Sequence, residues 1–398
     1  MERRSLLGRI FGSEDNTPVP KTSEQIEIIE GQKATFTPYK GNFHEDPDVL
    51  ACVDTIARNG AKMHPRHIRN FNGRMENVKD NIYKLLAKQP NEIQNAYKFY
   101  YQIITDLELY NNALVFIQRD ENLKVTGLYP LEFSEIKLYE YKDAIWIKFQ
   151  FGIGKERFVP YTQCIHLTRF VGKDGLFGGN ANALIKVLDI KHILDEGIVN
   201  AIKTTQSIKG ILKSTKAMLK PEDVKKMRDQ FVQDFIDYHR NKSGIGGLDA
   251  TTDFTPVKIE PQTATDSQLK QFDEKILKYF GINENIIESK YSEDEWNAFY
   301  ESVLEPIGLQ MSLEFTNKIF TPTEKLKFGN EILFESNRLQ YASNKTKIEL
   351  VRYASNILTI NEQREVFNLA PIEGGDVFMI DQNHTVNEEV GGELDEGN

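Results

Sequence analysis

Between residues 95 and 110 apolar side chains return close to helical spacing, as Tyr97, Tyr100, Tyr101, Ile104, Leu107 and Leu109. Residues three and four apart share one helix face, so a helix is predicted there. Asn111-Asn112 then turns the chain into a β-like run at 113–118, and Asp120-Glu121-Asn122 turns it again into 125–129. Short strands are expected at 136–139, 145–151 and 157–159. Upstream, Asp46-Pro47 reads as an N-cap followed by proline at the first helical position. That helix presents Leu50, Val53, Ile56 and Ala57 on one face and should stop near Gly60. Residues 1–42 show little period beyond Ile26, Ile28 and Ile29 and are expected to be a mobile arm.

Glycines at 175–179 precede a long helical run, 183–206, with Leu184, Leu188, Ile190, Leu194, Ile198 and Ile202. It should span roughly 35 Å at about 1.5 Å per residue. A small insert follows: a strand at 210–212, a helix opened by Lys220-Pro221, then a strand near 254–259 closed by Pro261. Val224, Met227, Phe231 and Phe235 lie on one side of the insert's helix. A second helix, 266–280, carries Leu269, Phe272, Ile276, Leu277 and Phe280 and meets its stop at Gly281. The polar stretch 283–294 is predicted to be a loop. From Glu295 another helix carries Trp296, Phe299, Tyr300, Leu304, Ile307, Met311, Phe315 and Ile319, and Pro306 should kink it. Helical stretches at 345–357 and 359–367 end the pattern, Thr359 capping the second with Glu362 three residues on. The fold class is α+β.

Composition adds scale and charge. A chain of 398 residues with 40% hydrophobic content exceeds one typical domain and can bury a sizeable core. Cys52 and Cys164 alone support neither a disulfide framework nor a metal knuckle. No export signal and no membrane span are expected, because the apolar runs near the start are only two residues long and none reaches about 18 elsewhere. The net charge of −10 is concentrated late: eight acidic residues and no Lys or Arg fall in 373–398, leaving the rest near −2. A nearly neutral body disfavours static gripping of a duplex, which needs concentrated Lys and Arg, though not passage of DNA.

Signals of catalysis are thin. No Gly-x-x-x-x-Gly-Lys-Ser/Thr stretch exists, and Gly152-Ile153-Gly154-Lys155 is followed by Glu156 where a magnesium-holding hydroxyl would stand, so a hairpin turn is expected. His64 and His67 could pair on a helix as metal ligands, but Arg66, Arg69 and Pro65 around them favour a solvated basic face. Cys164 and His166 share a strand face without an oxyanion turn beside them, which favours simple burial. Glu293, Asp294 and Glu295 read as acidic residues at a helix start rather than a magnesium site. No enzymatic activity, cofactor or metal is expected.

The order of modules is itself specific: α/β module, long helix, small insert, second helix, polar loop, kinked helix and helical end. Tyr100 to Arg119 (YYQIITDLELYNNALVFIQR), Gly127-Leu128-Tyr129-Pro130-Leu131, Phe280-Gly281-Ile282-Asn283 and Leu358 to Asp376 (LTINEQREVFNLAPIEGGD) occur in that order over more than 300 residues. In this the chain resembles the portal proteins of tailed bacteriophages, particularly those typical of phages with long non-contractile tails.

The resemblance implies a map: 1–42 arm, 43–180 wing, 181–209 stem helix, 210–262 clip, 263–282 stem helix and 283–294 tunnel loop. It continues with 295–344 as the kinked helix and wing return, 345–376 as crown and 377–398 as an acidic disordered tail. It implies a dodecameric ring at the capsid vertex through which double-stranded DNA is packaged and ejected. The partners implied are other copies of the chain, the terminase large subunit, a head-tail adaptor, and major capsid or scaffolding protein. The DNA-channel loop would present Asn283, Glu284, Asn285, Glu288, Lys290, Tyr291 and Ser292, and Lys225, Arg228, Asp249 and Asp253 would meet partners at the clip. Another head-tail ring protein, or a metal-dependent nucleic-acid enzyme, are the competing readings.

Overall fold

The computed structural model describes residues 46–71, 74–151, 156–172, 175–179, 181–205, 210–214, 220–236, 252–256, 266–335, 344–354, 356–367 and 369–378, with short strands inside 24–36. They divide into two compact units, Met1–Ala183 with Ile276–Asn398, and Leu184–Lys275.

The first unit opens with α1 (Pro47–Gly60), β1 (His64–Phe71), β2 (Arg74–Asn77), α2 (Asn81–Ala87) and α3 (Ala96–Tyr110). Strands β3 (Asn112–Arg119), β4 (Val125–Pro130), β5 (Glu135–Tyr141), β6 (Ala144–Gln150), β7 (Glu156–Pro160) and β8 (Cys164–Thr168) follow. Asp46 caps α1, its carboxylate accepting from the amides of Asp48 and Val49 at 2.9 and 3.1 Å. The buried face of α1 includes Val49, Cys52, Val53, Ile56 and Ala57, while Leu50 is 43% exposed, so the apolar stripe is rotated from the expected one. Asn111, in the left-handed region at φ 56°, ends α3 and turns the chain into β3.

Among the described residues these strands contribute to three sheets. β8, β3 and β4 form one, in that order, and β5, β6 and β7 form a meander. Residues Leu114, Phe116, Ile136, Leu138, Ile147 and Phe149 join these sheets in a shared core. Full burial of a side chain such as Phe149 contributes about 1.5–3 kcal/mol. Gln150 pairs with Glu156 in strand register, and 152–155, where a hairpin turn was expected, lie outside the described residues. The arm differs from expectation: Glu24–Gln25 and Thr35–Phe36 are strands that pair with β5, Glu24 opposite Glu140 and Phe36 opposite Ile136. Backbone pairing at a sheet edge therefore tethers part of it, because an edge strand offers unpaired N–H and C=O groups.

The second unit begins within α4 (Asn182–Thr205), followed by β9 (Gly210–Ser214), α5 (Pro221–Ile236), β10 (Thr252–Pro256) and most of α6 (Asp266–Phe280). β9 and β10 pair antiparallel, Lys213 opposite Asp253. Lys191 of α4 meets Asp273 of α6 at 3.1 Å.

After α6 the chain runs through α7 (Glu284–Ile287), α8 (Glu293–Phe299), α9 (Glu305–Ile319), α10 (Pro322–Phe328), β11 (Asn330–Glu335), α11 (Asn344–Tyr353) and α12 (Ile360–Val366). The expected break at Pro306 takes the form of a π-helical turn, Tyr300–Leu304, joining α8 to α9. Proline lacks an amide and its ring crowds the preceding turn, and a wider turn accommodates both. β11 returns to pair with β1, giving the third sheet in the order β11, β1, β2. Phe334 of β11 packs edge-on against Tyr100 and Phe315, centroids 5.3 and 5.1 Å away. Ser312 ties α9 to β11 by accepting the Phe334 amide at 2.8 Å.

That third sheet corrects the reading of His64 and His67. They lie on a strand, not a helix, and His67 is 2% exposed. Its ring nitrogens face Asn330 Oδ1 and the Asp80 carboxylate, each at 3.0 Å. Inward-pointing strand positions are satisfied by polar partners remote in sequence, so this is a buried structural histidine rather than a basic surface.

Candidate channel loop and clip

α6 ends in a Schellman arrangement. Gly281, at φ 70°, donates to Lys278 O at 3.3 Å, and Ile282 donates to Leu277 O at 3.1 Å. Phe280 and Ile282 on either side are buried, which fixes where the following segment starts.

Residues 283–294 are more ordered than the predicted loop, because their side chains cap each other. Asn283 caps the single turn α7 by accepting the Ile286 amide at 2.9 Å, and Ile286 is 3% exposed. Ser292 and Glu295 form a capping box at the start of α8, Glu295 accepting the Ser292 amide at 2.8 Å. The same Glu295 carboxylate accepts from Asn285 at 2.6 Å and Asn283 at 3.5 Å. The Ser292 amide first, then Asn285, holds its pKa below the usual carboxylate range. Glu295 is thus the hub of the segment. Its Ser-x-x-Glu spacing was visible in the sequence, but the asparagine contacts needed the folded turn.

Lys290 extends into solvent with its ammonium 2.7 Å from Glu288, which raises its pKa through that hydrogen bond. Tyr291 is 39% exposed and its ring lies 5.0 Å from Trp296. Glu284, Glu288, Glu293 and Asp294 set four carboxylates against this one lysine. Such a segment has little affinity for phosphate.

In the second unit, Lys225 and Arg228 are exposed on α5, and Arg228 pairs with its neighbour Asp229. Asp253 lies in β10. Asp249 lies outside the described residues. The structure brings Asp253 opposite Lys213 in strand register.

The chemistry of the other candidates is one of burial. Cys164 is a buried free thiol pushed up to about 12 by burial, and His166 is pushed down to about 4, first by burial and then by Lys318. Both shifts oppose a thiolate–imidazolium pair. His166 instead stands 3.0 Å from the Tyr161 hydroxyl and 3.1 Å from Asn112 Oδ1. Among the described residues no group of three or more His, Cys, Asp or Glu side chains is placed to hold a metal, and no helix is long and apolar enough to cross a membrane.

A further buried pair escaped the sequence reading. Glu108, 2% exposed on α3, meets Arg169 at 2.5 Å, and the Arg169 guanidinium also donates to Tyr279 O at 2.7 Å, near the end of α6. Tyr279 in turn lies 3.3 Å from the Asn111 amide nitrogen. These contacts hold the start of the 281–294 segment to α3.

Comparisons with known proteins agree with this architecture. The family described as phage portal protein matches residues 47–368. Probable portal proteins of Lactococcus phages p2 and SK1 are 24% identical over 185 residues, 44% of this chain and 49% of theirs. The chain spans about half the length of these curated relatives. Among solved structures, a chain from the neck of a native gene transfer agent (GTA) particle, computed with C12 symmetry, superposes with a TM-score of 0.60 at 17% identity, covering 83% of this chain and 92% of that one. An HK97-family phage portal protein from Corynebacterium diphtheriae gives 0.50 at 15% identity, covering 77% and 98%. At such identities these likenesses speak for the fold, and the family match extends over most of the sequence. The chain belongs to the phage portal protein family.

Proposed function

We propose that copies of this chain close into a ring of twelve at a unique capsid vertex and form the channel for double-stranded DNA during packaging and ejection. The reading rests on family membership over 47–368 and on the likeness to the neck chain computed with C12 symmetry. A subunit that meets its neighbours through two different faces forms a closed ring when the rotation per step divides the circle.

The observation that carries the channel reading is the braced, acid-rich segment 283–294, with Lys290 beside Glu288. Asn283, Glu284, Asn285, Glu288, Lys290, Tyr291 and Ser292 would face the duplex. A surface dominated by carboxylates repels phosphate, so DNA slides past instead of adhering. The role is structural rather than enzymatic. Residues 210–262, within the second unit, would serve as the clip, offering Lys225, Arg228, Asp249 and Asp253 first to the terminase large subunit and then to a head-tail adaptor. The wing would meet major capsid or scaffolding protein, which places the protein in the virion after synthesis in the host cytoplasm.

Negative-stain electron microscopy with mass photometry tests this. Twelvefold rings around a hole wide enough for a duplex are expected. A protein that stays monomeric at every concentration, also with scaffold and capsid protein present, would overturn the ring.

A further inference from the structure

Helix α11 keeps Ile348, Glu349, Arg352 and Tyr353 in solvent, positions one and four apart that share a face. Tyr353 is 81% exposed. The chain then turns at Ala354, whose carbonyl accepts the amides of Ile357 and Leu358 at 2.9 Å, into α12 and the stretch 369–378 that runs back along it. Asn361 organises this return. Its side chain donates to Asp376 at 2.7 Å and Ile372 O at 3.2 Å and accepts the Ile372 amide at 2.8 Å, while its backbone N–H reaches Gly375 O at 2.9 Å. Arg364 holds the other end by donating to Ala370 O at 2.8 Å. On this hydrogen-bonded frame Ile357, Phe367, Leu369, Ile372, Val377 and Phe378 stay exposed instead of collapsing inward.

The α11 face and the α12 face together hold eight exposed apolar side chains. At about 150–250 Å² for a whole aromatic side chain, and somewhat less for an aliphatic one, they show on the order of 900 Å² to water. Monomers rarely keep an apolar patch above roughly 600 Å². An interface of standard size buries about 1,600 Å², about 57% of it apolar, which is again about 900 Å². The two faces thus carry the apolar content of one such contact. Their charges fit as well. Arg352 on the first face, and Glu365 and Glu373 on the second, are exposed and have no ion-pair partner among the described residues, whereas Glu362 and Asp376 are already held by Thr359 and Asn361. Glu349 shares the first face, one turn before Arg352. We propose that the α11 face of one copy docks on α12 and 369–378 of a second copy, with Arg352 reaching Glu365 and Glu373. The proposal rests on the ring reading and names a contact that closes it: in a closed ring each copy uses both faces once, so none of the eight side chains stays in water.

The test co-expresses two full-length variants, Tyr353→Cys and Ile372→Cys, and oxidises the purified mixture mildly. The native Cys52 and Cys164 are buried and do not compete. Docking raises the effective concentration of the pair, so a disulfide joining the two variants should form with about tenfold the yield of Tyr353→Cys mixed with Ile93→Cys, an exposed position between α2 and α3. Either variant oxidised alone should run as a monomer on a denaturing gel. Adding Arg352→Glu to the first variant should lower the yield about fivefold, and Glu365→Arg with Glu373→Arg in the second should restore it. Equal yields from the two mixtures, as much dimer from Tyr353→Cys alone, or a yield indifferent to charge reversal would overturn the contact. Mass photometry of the parent protein separates the two readings. Rings without the disulfide overturn this contact alone, whereas the disulfide without rings keeps the contact and overturns the ring.

Discussion

Arg169 lies 2.5 Å from the buried carboxylate of Glu108, and its guanidinium sits 4.5, 5.1 and 5.5 Å from the ring centres of Phe170, Tyr279 and Phe280. Burial pushes Glu108 up to about 7 while Arg169 pulls it back down. The pair costs desolvation on both sides, and removing one partner leaves the other charge uncompensated. Arg169→Ala should therefore destabilise by about 3–5 kcal/mol in denaturant unfolding, and Arg169→Met combined with Glu108→Leu by much less.

Asp106 on α3 predicts a pH dependence. Its pKa is raised from 3.8 to about 8, first by burial and then by Glu132. The folded state thus holds a proton that the unfolded state releases near pH 4, so the contribution is fully present below that pH and lost as pH rises towards 8. Glu108 acts with the same sign up to about 7. Asp106→Asn should match the parent near pH 4 and exceed it by about 1–3 kcal/mol at pH 8, read from unfolding midpoints across pH.

Two glycines should respond oppositely to alanine. A Cβ at Gly178 would sit 1.8 Å from Asn111 O, on a backbone that also donates to Asn112 Oδ1 at 2.8 Å. Gly178→Ala should cost about 3 kcal/mol or more. Gly197, inside α4, has nothing within 4 Å of the same position. Gly197→Ala should stabilise the isolated chain by about 0.4–1 kcal/mol, since alanine restricts the unfolded chain and favours helix. Thermal unfolding of both variants checks the contrast.

Lys290→Ala removes the exposed ammonium beside Glu288 without touching the Ser292–Glu295 box. Rings should still assemble, while packaging or retention of DNA falls in a reconstituted particle assay. Loss of assembly would instead make Lys290 an interface residue.

Lys225→Glu with Arg228→Glu reverses two exposed charges on α5. Ring formation should persist, and binding to the packaging motor or adaptor in a pull-down should drop. Undiminished binding would move the partner contact elsewhere.

Where local chemistry decides structure, the sequence was legible. Asp46-Pro47 opened α1, Gly281 closed α6 and Thr359 with Glu362 formed a capping box. These signals span at most a few residues. What was illegible depends on distant partners. His67 needed Asn330 and Asp80 to become an interior residue, and Arg169 needed Glu108 and Tyr279. Short polar-rich strands such as β1 give almost no alternation to read: His67 is buried, while Arg69, Asn70 and Phe71 at its far end are exposed. For the site, the acidic character of 283–294 was plain from composition. The order imposed by Glu295 was not, since it requires Asn283 and Asn285 to turn back on α8.

The π-helical turn at Tyr300–Leu304 sets the phase of everything that follows it. Trp296 before it and Ile319 after it are both buried, 5% and 3% exposed. An unbroken α-helix over that interval would rotate the second residue about 140° from the first, whereas one surplus residue in the turn takes back about 100° of this. The turn works as a one-residue clutch, slipping the helix once so that Met311 and Phe315 mesh inward while Leu309 and Leu313 are delivered to the outside. Deleting one residue there would mend the α hydrogen bonding and keep the inward face in phase, whereas all the residues wound as one unbroken α-helix would turn that face about 100° away.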